Sequence, residues 1–348
     1  MTTPTKMAVV GAGSWGTTFA KVAADAAERN ADDGTICLWA RREAVAAEIN
    51  ASHTNSQYLA EIRLPQRISA TSDLREALSD ANVVVLAVPA QTLRAQLREI
   101  RDDITPGAVV ISLMKGLERG SDARMSEVIG DELGIEPAQI VVVSGPNLAM
   151  EIAREEPTAS VVACADEEVA TRIATLISAP YFRPYTNADV VGVEIGGIVK
   201  NVIALAVGIC DGLGMGDNTK ASVITRGLAE TTRLAIALGG QLETMAGLAG
   251  LGDLVATCSS PLSRNRTAGR LLGENLSATE VGEAMTQTAE GMKSAHAVLD
   301  LARRNDVEMP IAEAVVGVLD GRLTIEGMAR QLLGRDLKSE TNISRESD

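Results

Sequence analysis

The chain has 348 residues, of which 46% are hydrophobic and only 2% aromatic, and its formal net charge is −14. That length is long for a single core, so two domains are expected, and the hydrophobic fraction excludes wholesale disorder. The acidity excludes nucleic acid as a partner, because a phosphate backbone demands a basic footprint; an anionic small molecule would need Arg and Lys gathered locally against the global field.

In chain order, MTTPTK leads into the strand-like run KMAVVGAG, and no signal peptide is expected. Further apolar runs follow at TICLWARR, NVVVLAVPA, AVVISLMKG, IVVVSGPN and TASVVACAD, with helical stretches between most of them. Near-continuous apolar strands are what a parallel sheet covered on both faces requires. After YFRPYTNAD the β-like runs stop, and from Val190 to about Leu337 the pattern is helical, punctuated by DGLGMGDN, ALGG, GLGD and SSPLS. The expected fold is α/β: a Rossmann-like doubly wound domain over residues 1–189, an all-helical domain over 190–340 and a polar tail over 341–348. Cys37, Cys164, Cys210 and Cys258 lie far apart with no CxxC, and His53 and His296 have no metal-ligand spacing. Four reduced thiols in a cytoplasmic protein without a metal are expected. The best candidate for a membrane span is interrupted by Glu194 and Lys200, so no integral membrane segment is expected.

Gly11-Ala12-Gly13-Ser14-Trp15-Gly16 follows the first strand and opens the helical stretch TTFAKVAADAAE. A bare GxGxxG is a weak signal, but at a strand-to-helix turn it indicates dinucleotide binding. Gly11 serves the tight turn, Gly13 the approach of a pyrophosphate and Gly16 the close packing of helix on strand. The end of the second strand selects the dinucleotide: an acidic residue there holds a ribose hydroxyl, whereas arginine accommodates a 2′-phosphate. Here ICLWA runs into Arg41 and Arg42, with Glu43 arriving late, which favours NADP and leaves NAD open. A solvated surface pair of arginines is the plain alternative. Lys115 ends the strand AVVISLMKG, and Gly145-Pro146-Asn147 ends the next, both at the sheet edge where doubly wound folds bind ligands.

Lys200 is one cation inside the apolar run VVGVEIGGIVKNVIALAVGIC. Such a helix is buried all round, and a lysine is almost never buried without a partner. Its helical neighbours Gly196, Gly197, Ile203 and Ala204, with Gly208 one turn on, suggest a groove of small residues beside it, and Asn201 is adjacent. The bland reading is a snorkelling head group. Farther along, Asp253 in GLGD is either a helix cap or the partner of a buried lysine. Ser263-Arg264-Asn265-Arg266 precedes a helical run, and a helix start beside an arginine forms a phosphate site.

GAGSWG, LWARR, the strand-end Lys115, SGPN, EIGGIVKNVIAL, DNTKASVITRGLAE, AGLGDLVATC, SRNR and QTAEGM occur together, in this order. In them the chain resembles the bacterial-type NAD(P)-dependent sn-glycerol-3-phosphate dehydrogenases, over essentially its whole length up to LLGRDLK. The resemblance implies reversible reduction of dihydroxyacetone phosphate to sn-glycerol 3-phosphate, supplying phospholipid synthesis, with Lys200 as the catalytic acid/base. It implies substrate contacts from Lys115, Gly145, Asn147, Lys200, Asp253, Ser263, Arg264 and Asn265. Cofactor contacts are implied for Ser14, Trp15, Arg41, Arg42, Tyr58, Lys115, Ala149, Arg264, Thr288 and Glu290, beside the three glycines of the turn. The chain departs from the family in carrying Asn147 where Thr or Ser is common and Thr288 where Val is common. A helical domain rich in apolar faces is compatible with a homodimer. Three other readings are a β-hydroxyacid or ketopantoate-type reductase, which needs no phosphate site, a Schiff-base lyase, which needs no glycine-rich turn, and a nucleotide sensor, which needs no buried lysine.

Overall fold

A computed structural model describes residues 5–31, 33–285 and 289–333; Thr288 and the tail 341–348 lie outside the described residues. The strands are β1 (Lys6–Val10), β2 (Thr35–Trp39), β3 (Thr54–Asn55), β4 (Leu59–Arg63), β5 (Ile68–Thr71), β6 (Val83–Leu86), β7 (Val109–Ser112), β8 (Ile140–Ser144), β9 (Thr158–Ala163) and β10 (Phe182–Asn187). Eight of them form one sheet in the order β10-β9-β8-β7-β6-β1-β2-β5, and β3 and β4 form a separate two-stranded ribbon. β6, β7 and β8 are buried at every residue, as strands covered on both faces must be. From β1 the winding runs outward to β2 and β5, then reverses through β6, β7 and β8. The reversal opens a crevice at the carboxyl ends of β1 and β6, the position where open α/β sheets take ligands.

Two expectations about this half need correction. The sheet is not parallel throughout, because β8 and β9 pair antiparallel and β10 then follows β9 in parallel. The chain leaves β8 at its carboxyl end, sets the short helix Ala149–Ala153 against the helix that follows β1, and re-enters the sheet from the same end. Two edge strands also lack the expected signature: β5 has only four residues, and β10 is polar, with Pro184 in its middle. Edge strands are half covered, so they need no continuous apolar run and tolerate proline.

After β10, Asp189 caps the helix Val190–Gly212, its carboxylate accepting from Gly192 N at 2.7 Å and from Gln241 N at 2.8 Å. This helix is surrounded by Asp217–Ala237, Asp253–Ser259, Arg264–Gly273, Glu290–Arg304 and Pro310–Leu319. Contrary to expectation, Glu194 and Lys200 do not keep it below membrane-spanning length and hydropathy. It runs for 23 residues with a most apolar window of mean hydropathy 1.9, and 89% of that window is buried inside the protein. It is the core of the helical half, apolar because its neighbours close on every side.

The glycines of this helix are not an open groove, which corrects a second expectation. A Cβ on Gly196 would lie 2.6 Å from the Ala249 carbonyl oxygen, and one on Gly208 would lie 2.2 Å from that of Arg266. The contact is reciprocal: a Cβ on Gly269 would meet the Leu205 oxygen at 2.1 Å, and Gly212 and Gly273 repeat the arrangement one turn on. Small residues here let the backbones of two helices meet, as in GxxxG pairs.

Candidate active site

The glycine-rich turn forms one wall of the crevice. Gly11 has φ +123°, a conformation L side chains rarely adopt, and a Cβ there would lie 2.4 Å from the Ala87 oxygen at the end of β6. On Gly16 a Cβ would lie 2.0 Å from the Gly11 oxygen, whereas around Gly13 nothing lies within 4 Å. The first and third glycines therefore close the turn, and the second keeps its surface open. The helix Ser14–Arg29 starts with neither a side-chain cap nor an acidic residue in its first turn. Its first N–H groups and dipole suit a phosphate.

Residues of the β3–β4 ribbon brace this turn. Asn55, fully buried, donates from Nδ2 to the Ala12 oxygen at 3.0 Å and to Thr17 Oγ1 at 2.9 Å, and Ser14 Oγ donates to the Tyr58 oxygen at 3.1 Å. Trp15 stacks edge-on against Phe19 with ring centroids 5.9 Å apart, and its Nε1 is buried without a partner among the described residues. Arg41, Arg42 and Glu43 are exposed beyond β2, whose last residue, Trp39, accepts from Gly11 N at 3.2 Å. Ala149 reaches the same helix through its carbonyl, which accepts from Thr18 Oγ1 at 3.2 Å.

A buried charge cluster joins the loops after β7 and β8 to the central helix. Lys200 Nζ donates to Asp253 Oδ1 and Thr257 Oγ1, both at 2.6 Å. Lys115 Nζ donates to the other carboxylate oxygen, Oδ2, at 2.6 Å and to the Gly145 oxygen at 2.9 Å. Asp253 is 1% exposed and Lys200 8%. One carboxylate thus orients two ammonium groups, one carried by the loop after β7 and one by the central helix. Burial pulls the Lys115 pKa down to about 8, against the upward pull of Asp253 and with the help of Lys200. The Cys258 thiol beside the cluster is pushed up to about 12 by burial.

Asn147, just beyond β8, has both side-chain polar atoms buried, with no partner among the described residues. An amide shielded from water with its donor and acceptor unused fits a ligand group. Ser263 caps the helix Arg264–Gly273, its Oγ accepting from Arg266 N at 3.2 Å, and Arg264 is exposed at the first helical position. Asn265 is buried; it donates to Asn201 Oδ1 at 2.8 Å and accepts from Gly291 N at 2.9 Å, which links three helix segments. Glu290 is half-buried near Gly116; burial raises its pKa, while Lys293, Arg264 and Arg119 lower it.

The structure therefore brings Lys115, Gly145, Lys200 and Asp253 into direct contact and joins Asn265 to them through Asn201, whose Nδ2 donates to the Lys115 oxygen at 3.5 Å. Ser14, Trp15, Tyr58, Arg41, Arg42 and Ala149 gather separately around the glycine-rich turn. Sequence reasoning missed Thr257 and Asn55. Thr257 had a signal, since it stands one helical turn after Asp253; Asn55, in a polar loop, had none.

A doubly wound sheet with an open glycine-rich helix start, together with a lysine–carboxylate cluster where the sheet meets the central helix, defines a two-domain dinucleotide-dependent oxidoreductase. The chain belongs to the NAD-dependent glycerol-3-phosphate dehydrogenase family: residues 6–170 match the model of its N-terminal part and residues 189–330 that of its C-terminal part. It is 54% identical to the glycerol-3-phosphate dehydrogenase (NAD(P)+) of Streptomyces coelicolor, over 98% of this chain and 99% of that one. The protein of the same name from Thermobifida fusca is 56% identical over 90% of this chain and 92% of its own length. The crystal structure of glycerol-3-phosphate dehydrogenase from Coxiella burnetii superposes with a TM-score of 0.88 at 36% identity, covering 95% of this chain and 99% of that one.

Proposed function

We propose that the protein catalyses the reversible NAD(P)H-dependent reduction of dihydroxyacetone phosphate to sn-glycerol 3-phosphate, with Lys200 as acid/base. The observation that carries this reading is the shared carboxylate: Asp253 holds Lys200 and Lys115 at 2.6 Å each. The bound dinucleotide supplies or accepts the hydride. Gly13 and the uncapped helix start would hold its pyrophosphate, and Trp15 Nε1 and the Asn147 amide offer polar groups without a partner among the described residues. Arg41 and Arg42 favour the 2′-phosphate of NADP.

Ser263, Arg264 and Asn265 anchor the substrate phosphate at the start of their helix. A phosphate carries about −1.5 to −2 charges near neutral pH. With the Asp253 carboxylate counted against them, Lys115, Lys200 and Arg264 roughly balance that charge, and the Lys200 ammonium is the group for the reacting oxygen. Lys200 points its ammonium at the ketone oxygen, stabilises the negative charge that builds there and donates the proton. In the reverse direction the neutral amine takes the hydroxyl proton. Thr257 and Asp253 both accept from the Lys200 Nζ and so hold it in direction. A ketopantoate-type reductase has no use for the Ser263–Asn265 anchor.

The test is oxidation of NADPH or NADH by the purified protein, followed by loss of reduced-nicotinamide absorbance. Oxidation is expected only when dihydroxyacetone phosphate is added. Absence of a substrate-dependent signal with both dinucleotides would refute the reading.

A further inference from the structure

Glu194 is a buried carboxylate for which the mechanism above has no use. It lies in the second turn of the central helix, with a side chain 1% exposed. Its Oε2 accepts from Arg124 Nη1 at 2.7 Å and from Ser126 Oγ at 2.5 Å, and its Oε1 accepts from Ser126 N at 3.0 Å. Both partners belong to the sheet-bearing half, where Arg124 is the N-cap of the helix Met125–Leu133. A carboxylate at that helix start is also favoured by the helix dipole.

Arg124 closes the loop that carries Lys115. It forms an antiparallel bridge with Leu117, and inside the loop Glu118 N donates to the Ala123 oxygen at 3.0 Å and Asp122 N to the Glu118 oxygen at 2.9 Å. Holding Arg124 therefore holds Leu117, two residues from Lys115. The central helix meets this loop on a single face. Glu194 takes Arg124 and Ser126, Gly197 takes the Lys115 stem (a Cβ there would lie 3.5 Å from Lys115 Cγ), and Asn201 donates to the Lys115 oxygen. Positions 194, 197 and 201 follow the i, i+3, i+7 spacing of one helical stripe.

We propose that Glu194 is a positioning residue: by gripping Arg124 and Ser126 it fixes the register of the Lys200 helix against the Lys115 loop, so that both lysines reach the same carboxylate. This rests on the reading of Lys200 as acid/base. Gly197 and the apolar residues of this face resist separation but resist sliding poorly. Three bonds to one carboxylate resist both. Burying an ion pair gains little stability over an apolar contact of the same volume, and its best-attested use is to set register. One residue of slip along a helix is about 1.5 Å, and an error of that order at a reacting group costs about 100-fold in rate.

The test is Glu194→Gln in the full chain. The amide keeps the volume and an acceptor for Ser126 N, and Arg124 keeps Glu127 at 2.7 Å as a partner for its charge. The NADPH dissociation constant should stay within about twofold while kcat/KM for dihydroxyacetone phosphate falls about 100-fold, chiefly in kcat. Any alkaline limb from Lys115, whose pKa burial pulls down to about 8, should move up toward the ordinary lysine value, because a loosened loop admits water. Glu194→Asp keeps the charge but is one methylene short, so it should behave like the amide; wild-type behaviour would mean that charge alone matters, and the proposal would be wrong. Ser126→Ala, which removes one bond and no charge, should fold and shift kcat in the same direction by a smaller factor. A folded Glu194→Gln or Ser126→Ala enzyme with unchanged kcat/KM and an unmoved limb overturns the proposal, even with a lowered Tm.

A readout independent of turnover is labelling of Lys115 by an amine-acylating reagent, located by mass spectrometry. It should be faster in Glu194→Gln than in the wild type, and equal rates count against the proposal. If the wild type itself showed no oxidation dependent on dihydroxyacetone phosphate, the functional reading would fail while the labelling still judged the role of Glu194.

Discussion

The glycine-rich turn and the central helix use the same residue to opposite ends. At the turn, Gly11 and Gly16 are closed by backbone at 2.4 and 2.0 Å, and Gly13 between them faces open space. Along the central helix, Gly196, Gly208 and Gly212 are all met by carbonyl oxygens of neighbouring segments. One region leaves backbone uncovered for a ligand, whereas the other covers it with protein. Their chemistry divides in the same way. The turn offers N–H groups, a helix dipole and exposed arginines, and the helix offers ammonium groups held by a buried carboxylate. A backbone site tolerates the loss of single side chains; a buried charge cluster does not.

Lys200→Ala should test that contrast most severely. A group that both stabilises the developing charge and donates the proton is expected to account for about 10⁴-fold in kcat. NADPH affinity, measured by fluorescence titration, should be unchanged, because the turn is built without it. Near-normal turnover would mean that the cluster is not the reacting wall. Asp253→Asn comes next, with a loss of roughly 10³-fold in kcat/KM, since both lysines lose their orienting group. It should also lower Tm, because two ammonium groups are left without their carboxylate. Its pH profile has a definite sign. Lys115 loses its proton near 8, held up by Asp253 and pulled down by burial, so removing the carboxylate should move the alkaline limb below that value. A limb that stays in place would separate Lys115 from the titration.

Gly269→Ala probes the covered glycines. Its new Cβ would lie 2.1 Å from the Leu205 oxygen, so the helix Arg264–Gly273 must shift away from the central helix. That helix carries the proposed phosphate anchor, and a displacement of about 1 Å between anchor and Lys200 should reduce kcat/KM about 100-fold. Overpacking of this kind costs about 1–3 kcal/mol of stability. Because the anchor moves as a unit, inhibition by inorganic phosphate should be retained. Loss of phosphate inhibition together with turnover would show that the anchor itself was dismantled. The matching change at the turn, Gly13→Ala, meets no protein atom and should leave Tm unchanged while weakening NADPH binding.

What could be read from sequence alone follows the same division. The turn is local: six consecutive residues between a strand and a helix carry both its geometry and its purpose. Lys200 was legible because a cation breaks an apolar helix, and Asp253 because a carboxylate sits in a glycine-rich turn. That Asp253 serves two lysines was not legible, because Lys115 lies 138 residues away in sequence and Lys200 53. The same holds for Glu194 and Arg124, which are 70 residues apart. The helical glycines were misread as a groove because spacing on one helix says nothing of what packs against it. β5 and β10 were missed because sheet edges are covered on one side only and carry no apolar run.

The smallest expected effect lies with Arg41 and Arg42, which are exposed and stand at the end of β2 beside the turn. Exposed charges gain little from pairing with other exposed charges, about 0–1 kcal/mol. A phosphate held by a guanidinium fork does better, because the hydrogen bonds are charge-assisted and bidentate. Replacing Arg42 with Ala should therefore weaken NADPH by roughly tenfold, equivalent to about 1.4 kcal/mol. NADH affinity should stay the same, since the two dinucleotides differ only in the 2′-phosphate. The effect should shrink at high salt, where exposed charges are screened, whereas the losses at Lys200 and Asp253, buried beneath the same crevice, should persist. A surface change away from packing should leave the unfolding free energy within about 0.5 kcal/mol of the wild type. An unaltered ratio of NADPH to NADH affinity would remove Arg42 from cofactor selection and leave the turn a site made of backbone alone.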